Sequence, residues 1–207
     1  MSLKKILLII LLIILFVYII LFFYEKTNSK EEKYSQNLPP IKSEFNLKSH
    51  DGETMNHKSF YGKYLLIYFG FTYCPDVCPT SLKRITRTYD ALPKKIQDQL
   101  KIIFITVDPE RDTVPVIKNY VTYFHDKLIG LTGDLEEITK AAKSFGIYFK
   151  KSSSSNAPDA YLVDHSTIIY LMDTNGFYLN HFNHDIKVSE LTKKTIESIN
   201  KVNKTKK

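Results

Sequence analysis

Tyr64-Leu65-Leu66-Ile67-Tyr68-Phe69, followed directly by Gly70 and Phe71-Thr72-Tyr73-Cys74-Pro75-Asp76-Val77-Cys78-Pro79, joins a strand to a turn holding both cysteines of a 207-residue chain. The first six residues form a near-continuous apolar run rich in strand formers, the pattern of a strand covered on both faces. Lys101-Ile102-Ile103-Phe104-Ile105-Thr106-Val107 repeats that pattern. Between the two runs Leu82, Ile85, Tyr89 and Leu92 keep helical spacing, so residues 64–107 predict a β-α-β unit.

Working outward, a helix is expected over Val114–Phe124, with Asp112 or Thr113 as its cap and Pro115 in its first turn. Another opens at Asp134, where Glu137 completes an Asp-x-x-Glu signature, carries the stripe Leu135, Ile138, Ala142 and Phe145, and stops at Gly146. Ile147-Tyr148-Phe149 follows, then a polar insertion, Lys150–Asp159, with four consecutive serines, then Ala160-Tyr161-Leu162-Val163. Asn175-Gly176 predicts a hairpin between Thr167–Met172 and Phe177–Phe182. Val188, Leu191, Ile196 and Ile199 mark a closing helix. Strand-helix-strand first, hairpin and helix last, is the thioredoxin-like order: an α/β sandwich around a mixed central sheet.

The N-terminal end predicts a membrane anchor. Ile6–Tyr24 is uncharged and, as a helix, about 28 Å long, close to the hydrocarbon thickness of a bilayer. A cleaved signal would be shorter and end at small residues, yet no Ala or Gly occurs before Gly52. The sequence therefore divides into an anchor at 1–24, a polar tether at 25–40 ending in Pro39-Pro40, and one domain at 41–207. Basic residues flank both sides of the span, so charge alone does not orient it. The short N-terminal flank favours N-in, with the long C-terminal part exported. No Arg-rich presequence precedes the span, so the expected location is a bacterial inner membrane with the domain in the periplasm. The net charge of +7 is spread along the chain. Arg residues are few and unclustered, which argues against nucleic-acid binding.

Two sulfurs four residues apart, with no third, restrict the chemistry. They bind a soft metal with help from a non-sulfur ligand, or they cycle between dithiol and disulfide. Pro75 and Pro79 keep the motif from being regular helix throughout, so Cys74 belongs in the loop and Cys78 near the first helical turn, where N–H groups favour thiolate. Three intervening residues give a wider bite than the two of thioredoxin-type redox sites. Cu(I) prefers thiolate and accepts two or three ligands, so two sulfurs and one imidazole suffice. A structural zinc would want four protein ligands. A short-loop disulfide is the structural alternative. Of the six histidines, His165 stands apart: it ends a strand, begins a turn, and has Asp164 beside it as an acidic neighbour to orient its ring. His181-x-x-His184 reads as a solvated patch.

Three ordered motifs, Cys-Pro-Asp-Val-Cys-Pro (74–79), Val-Asp-Pro-Glu-Arg-Asp-Thr (107–113) and Val-Asp-His-Ser (163–166), resemble the SCO/SenC family over roughly residues 40–200. The resemblance implies a membrane-tethered copper chaperone for cytochrome c oxidase assembly rather than an enzyme, with copper ligands at Cys74, Cys78 and His165. It implies copper as Cu(I), with Cu(II) left open, and as partner the dinuclear CuA centre of oxidase subunit II or another copper acceptor. Asp108 and Arg111 read either as groups that support the ligands or contact a partner, or as a helix-start loop held by its own charge pairs, and are not counted as site residues. Competing readings are a thiol-disulfide oxidoreductase using the same cysteines, which would be expected to carry a proline where 160–166 has none, a peroxidase, and a redox or copper sensor.

Overall fold

The computed structural model describes residues 5–6, 11–19, 41, 43–152 and 161–205. Of the expected anchor at 1–24, residues 5–6 and 11–19 (α1) are helical; residues 1–4, 7–10 and 20–24, like the 25–40 tether, lie outside the described residues. Among the described residues no helix is long and apolar enough to cross a membrane. The rest of the architecture belongs to one compact unit, Pro40–Lys207.

That unit is an α/β thioredoxin-like sandwich. Its strands are β1 (Asn46–Ser49), β2 (Thr54–Asn56), β3 (Tyr64–Gly70), β4 (Leu100–Thr106), β5 (Leu128–Thr132), β8 (Ile168–Met172) and β9 (Tyr178–Asn183), in sheet order β2-β1-β5-β4-β3-β8-β9. β3, β4 and β5 run parallel, and the pairs β3–β8, β8–β9, β1–β5 and β1–β2 are antiparallel, so the sheet is mixed. β6 (Phe149–Ser152) and β7 (Leu162–His165) form a separate antiparallel ribbon in which Phe149 faces His165. The helices are α2 (Val77–Ala91), α3 (Lys94–Gln97), α4 (Val114–Phe124), α5 (Leu135–Ser144) and α6 (Val188–Thr205).

All seven residues of β3 are buried, as its unbroken apolar run requires of a central strand covered on both faces. α5 starts as expected, with the Asp134 carboxylate accepting from the Glu137 N–H at 2.8 Å. The β8–β9 turn is held by Asp173, whose Oδ1 accepts from the N–H groups of Asn175 and Phe177, each at 2.8 Å, while Gly176 takes the left-handed φ of +80°. β5 carries a glycine for a packing reason: a Cβ on Gly130 would lie 2.2 Å from Ile117 Cγ2, so the residue lets α4 lie close on the sheet.

Candidate metal centre

The parallel strands β3 and β4 end at one edge of the sheet, and the loop leaving β3 places Cys74 ahead of α2 and Cys78 in its first turn. Asp76 occupies the helix's N-cap position but makes no side-chain cap. The sulfur of Cys74 takes that role instead, accepting from the Cys78 N–H at 3.4 Å. Pro79 is tolerated because N–H groups in a first turn lack intrahelical acceptors. Both cysteines are free thiols, Cys74 half-buried and Cys78 buried.

Cys78 packs over the end of β3 because Gly70 leaves room for it. A Cβ at 70 would sit 2.8 Å from Cys78 Sγ, 3.0 Å from Phe104 Cε2 and 3.1 Å from Tyr68 Cε1. The Tyr68 hydroxyl points at the same sulfur from 3.9 Å. His165 arrives from the end of β7, with Nε2 3.5 Å from Cys78 Sγ and its ring edge-on to Phe71 and Tyr68. Its other nitrogen, Nδ1, lies 3.0 Å from the carbonyl oxygen of Ser166. A carbonyl only accepts, so Nδ1 carries the proton and a neutral ring turns the Nε2 lone pair toward sulfur. The orienting group is thus Ser166, not the expected Asp164, which is exposed and pairs in register with Lys150.

The two sulfurs differ electrostatically. The hydrogen bond from Cys78 holds the Cys74 thiol well below its ordinary range against the opposing effect of burial, helped by the backbone N–H groups of Cys78 and Asp76. Cys78 moves the other way, because its proton is bound to the neighbouring Cys74 sulfur and its site is buried. The reduced, metal-free site therefore holds a single S–H on Cys78, facing two acceptors, the Cys74 thiolate and the His165 Nε2. Among the described residues no three or more His, Cys, Asp or Glu side chains form a ready-made metal cluster. The Cys78–His165 separation is nonetheless near the roughly 3.7 Å between a thiolate and an imidazole sharing a three-coordinate ion with bonds of about 2.3 and 2.0 Å. A soft ion in place of that proton would find Cys78 and His165 already at about the spacing it requires.

Two buried carboxylates, Asp112 and Asp108, brace the loops around this centre. Asp112 does not cap α4: Thr113 holds the N-cap position, with no side-chain bond. Fully buried, Asp112 accepts from the Thr72 N–H at 3.0 Å and from the hydroxyls of Thr72 and Thr106, tying the cysteine loop to the end of β4. Burial raises its pKa, and the bonds from Thr106 and Thr72 pull back against that rise. Asp108 is paired with Arg111, the charge pair expected of this loop, but it also accepts from the Tyr161 hydroxyl at 2.7 Å. Gly70, Tyr68 and Thr72 carried no signal beyond their place in the motif. Three of the other five histidines have structural or surface roles: His50 accepts from the Gly130 N–H, His125 pairs with Asp90, and His181 is exposed beside Tyr178.

Known proteins share this arrangement of elements. The SCO1/SenC family profile matches residues 33–200. An SCO2-like protein of Rickettsia prowazekii (strain Madrid E) is 43% identical over 147 residues, which are 71% of this chain and 71% of that protein. The mitochondrial protein SCO1 homolog of Homo sapiens is 39% identical over 154 residues, 74% of this chain and 51% of its own. Among solved structures, Arabidopsis thaliana ScoI with copper bound superposes with a TM-score of 0.72 at 38% identity, covering 78% of this chain and 99% of that one.

Proposed function

Because this chain belongs to the SCO1/SenC family, we propose that it binds one copper ion through Cys74, Cys78 and His165 and passes it to a copper acceptor, the CuA centre of cytochrome c oxidase subunit II, during assembly of that enzyme. The observation that carries the reading is the pairing of His165 Nε2 with the buried Cys78 sulfur, with Nδ1 committed to a carbonyl. A dithiol redox site does not need an imidazole held lone-pair-first against the buried sulfur, since its attacking thiol is Cys74. A Cu(I) ion does, since two thiolates and one nitrogen complete its preferred low-coordinate sphere. The copper is cargo. It leaves by ligand exchange, in which an acceptor thiolate or imidazole enters the half-open side at Cys74. The N-terminal apolar segment would serve as an anchor in a bacterial inner membrane, holding the domain in the periplasm and raising its effective concentration toward a membrane-bound acceptor.

A second reading has its own support. A half-buried low-pKa thiolate beside a buried high-pKa thiol is the asymmetry of an attacking and a resolving cysteine. On that reading the pair reduces client disulfides, and His165 is dispensable.

Titration of the reduced, metal-free chain with Cu(I) under anaerobic conditions, against a competing chelator, separates the two. One-to-one uptake that is weakened by His165→Ala and abolished by loss of either cysteine is the chaperone's result. Full copper affinity in His165→Ala would sink it; thiol exchange dependent on both cysteines and indifferent to His165 would favour the reductase.

A further inference from the structure

The ribbon that carries His165 is not a strand of the main sheet. β6 and β7 pair with each other, and a two-stranded ribbon has little stability of its own in water. Something must fix it to the body if His165 is to stay against Cys78. Val163, inside the core, is one attachment. The other is polar, at the opposite end of β7 from His165. Tyr161, the residue before β7, has its carbonyl accepting from Arg111 Nη1 at 2.9 Å and its hydroxyl donating to Asp108 Oδ1 at 2.7 Å. Arg111 Nε in turn binds Asp108 Oδ2, closing a three-residue ring of bonds around a carboxylate that is 1% exposed.

Cations cover the Tyr161 ring from two elements. The Arg111 guanidinium carbon lies 3.7 Å from its centroid and the Lys151 ammonium, from β6, 4.7 Å. Lys151 also pairs with Glu110. The same guanidinium lies 4.8 Å from the ring of Tyr73 and 5.9 Å from that of Phe71, residues flanking the cysteine loop, and Phe71 packs edge-on to His165. Every charged side chain of the Asp108–Arg111 turn is therefore spent on the ribbon or on a partner that touches it.

We propose that the Asp108–Arg111 turn is a clasp on the β6–β7 ribbon, and that Arg111 is a positioning residue which keeps His165 within ligating reach of the two sulfurs. Opening the clasp frees the imidazole and leaves the dithiol intact. A three-ligand site becomes a two-sulfur site through a residue that touches neither sulfur. The consequence for copper rests on the function proposed above; the consequence for the ribbon does not.

The test uses the full-length reduced chain and the variants Arg111→Gln, Arg111→Lys and Tyr161→Phe. In the metal-free state, amide hydrogen exchange at 149–152 and 162–165 is expected to quicken about tenfold or more in Arg111→Gln, with exchange in β3 and β4 unchanged. Arg111→Lys, which keeps a cation over Tyr161 but loses the fork to Asp108 and the carbonyl, should recover part of the protection. Tyr161→Phe removes one hydroxyl only and reports on the clasp if Arg111→Gln does not fold. Unchanged ribbon exchange in every variant that folds overturns the proposal, whatever copper does. Copper affinity then supplies a cycle with His165→Ala. Arg111→Gln should weaken Cu(I) binding by about 10-fold, as removal of a group orienting a ligand commonly does, and should cost nothing further when His165 is already alanine. An equal loss in both backgrounds overturns the positioning role. If His165→Ala itself binds Cu(I) like the wild type, the ligand assignment fails, and the exchange result still decides the clasp.

Discussion

Gly70→Ala tests how tightly the sulfur of Cys78 is positioned by the backbone beneath it. The added Cβ would lie 2.8 Å from Cys78 Sγ, and ordinary contact begins near 3.4 Å, so sulfur and strand must separate by about 0.6 Å. Phe104 at 3.0 Å and Tyr68 at 3.1 Å block two of the directions in which the strain could spread. Alanine in a strand would by itself stabilise by roughly 0.5–1 kcal/mol through lower chain entropy. Overpacking costs about 1–3 kcal/mol and wins. The net cost is then up to about 2.5 kcal/mol, and at about 2–4 °C per kcal/mol for a chain of this size the melting temperature should fall by up to about 10 °C. Copper should suffer out of proportion, because the displaced atom is a ligand: Cu(I) affinity by chelator competition should drop at least 10-fold. Gly130→Ala is the control, with a worse clash of 2.2 Å against Ile117 but on β5, beneath α4. It should melt as low or lower and bind copper as the wild type does. Wild-type affinity in Gly70→Ala, or an equal loss in Gly130→Ala, would refute the reasoning.

Copper uptake at neutral pH should release about one proton rather than two, since Cys74 is already thiolate and only Cys78 holds a proton; calorimetry in buffers of different ionisation enthalpy measures this, and a count of two would refute the assigned protonation. Asp112→Asn should cost about 1–3 kcal/mol in acid solution, because the amide oxygen can fill only one of the two carboxyl positions and its NH2 then faces the donors that the other oxygen served. The native Asp112 pKa is raised, so the folded state binds more protons and this group's contribution falls as pH climbs from the ordinary carboxylate value to the raised one. The stability gap between wild type and Asp112→Asn in denaturant melts should therefore narrow across that interval, and a widening gap would contradict the sign.

The central elements were legible because burial on both faces leaves no room for ambiguity in composition. β3 and β4 are apolar at nearly every position, and α4, α5 and the β8–β9 turn announce themselves through spacing, a capping Asp and an Asn-Gly pair. The sheet's other edge was not read. β2 is three residues long, β1 offers only Leu47 as a buried apolar side chain, and β5 contains Gly130, which reads as a break until α4 is seen lying against it. β6 is hidden in the polar insertion for a related reason: Lys150 and Lys151 are exposed, and an outer ribbon needs no apolar alternation. Of the four serines expected in that insertion, Ser152 belongs to β6 and Ser153–Ser155 lie outside the described residues.

At the site, sequence carries what is local and loses what is long-range. Two prolines around two cysteines place one sulfur before the helix and the other within its first turn, since ring geometry and missing N–H groups act over a few residues. The Asp108–Arg111 pair is three residues apart and was equally readable. Its partner, Tyr161, is 50 residues downstream of Arg111 and is joined to it only by the fold. Asp112 shows the same loss: of the two candidates for the α4 cap it is Thr113 that holds the position, while Asp112 accepts from Thr72, 40 residues upstream. A short-range rule names the role a side chain would take if nothing better were in reach. Burial overrules it, because a carboxylate sealed from water must collect donors wherever the chain supplies them. The donors here lie on the cysteine loop, so satisfying one buried acid also sets the height of the loop from which Cys74 reaches solvent.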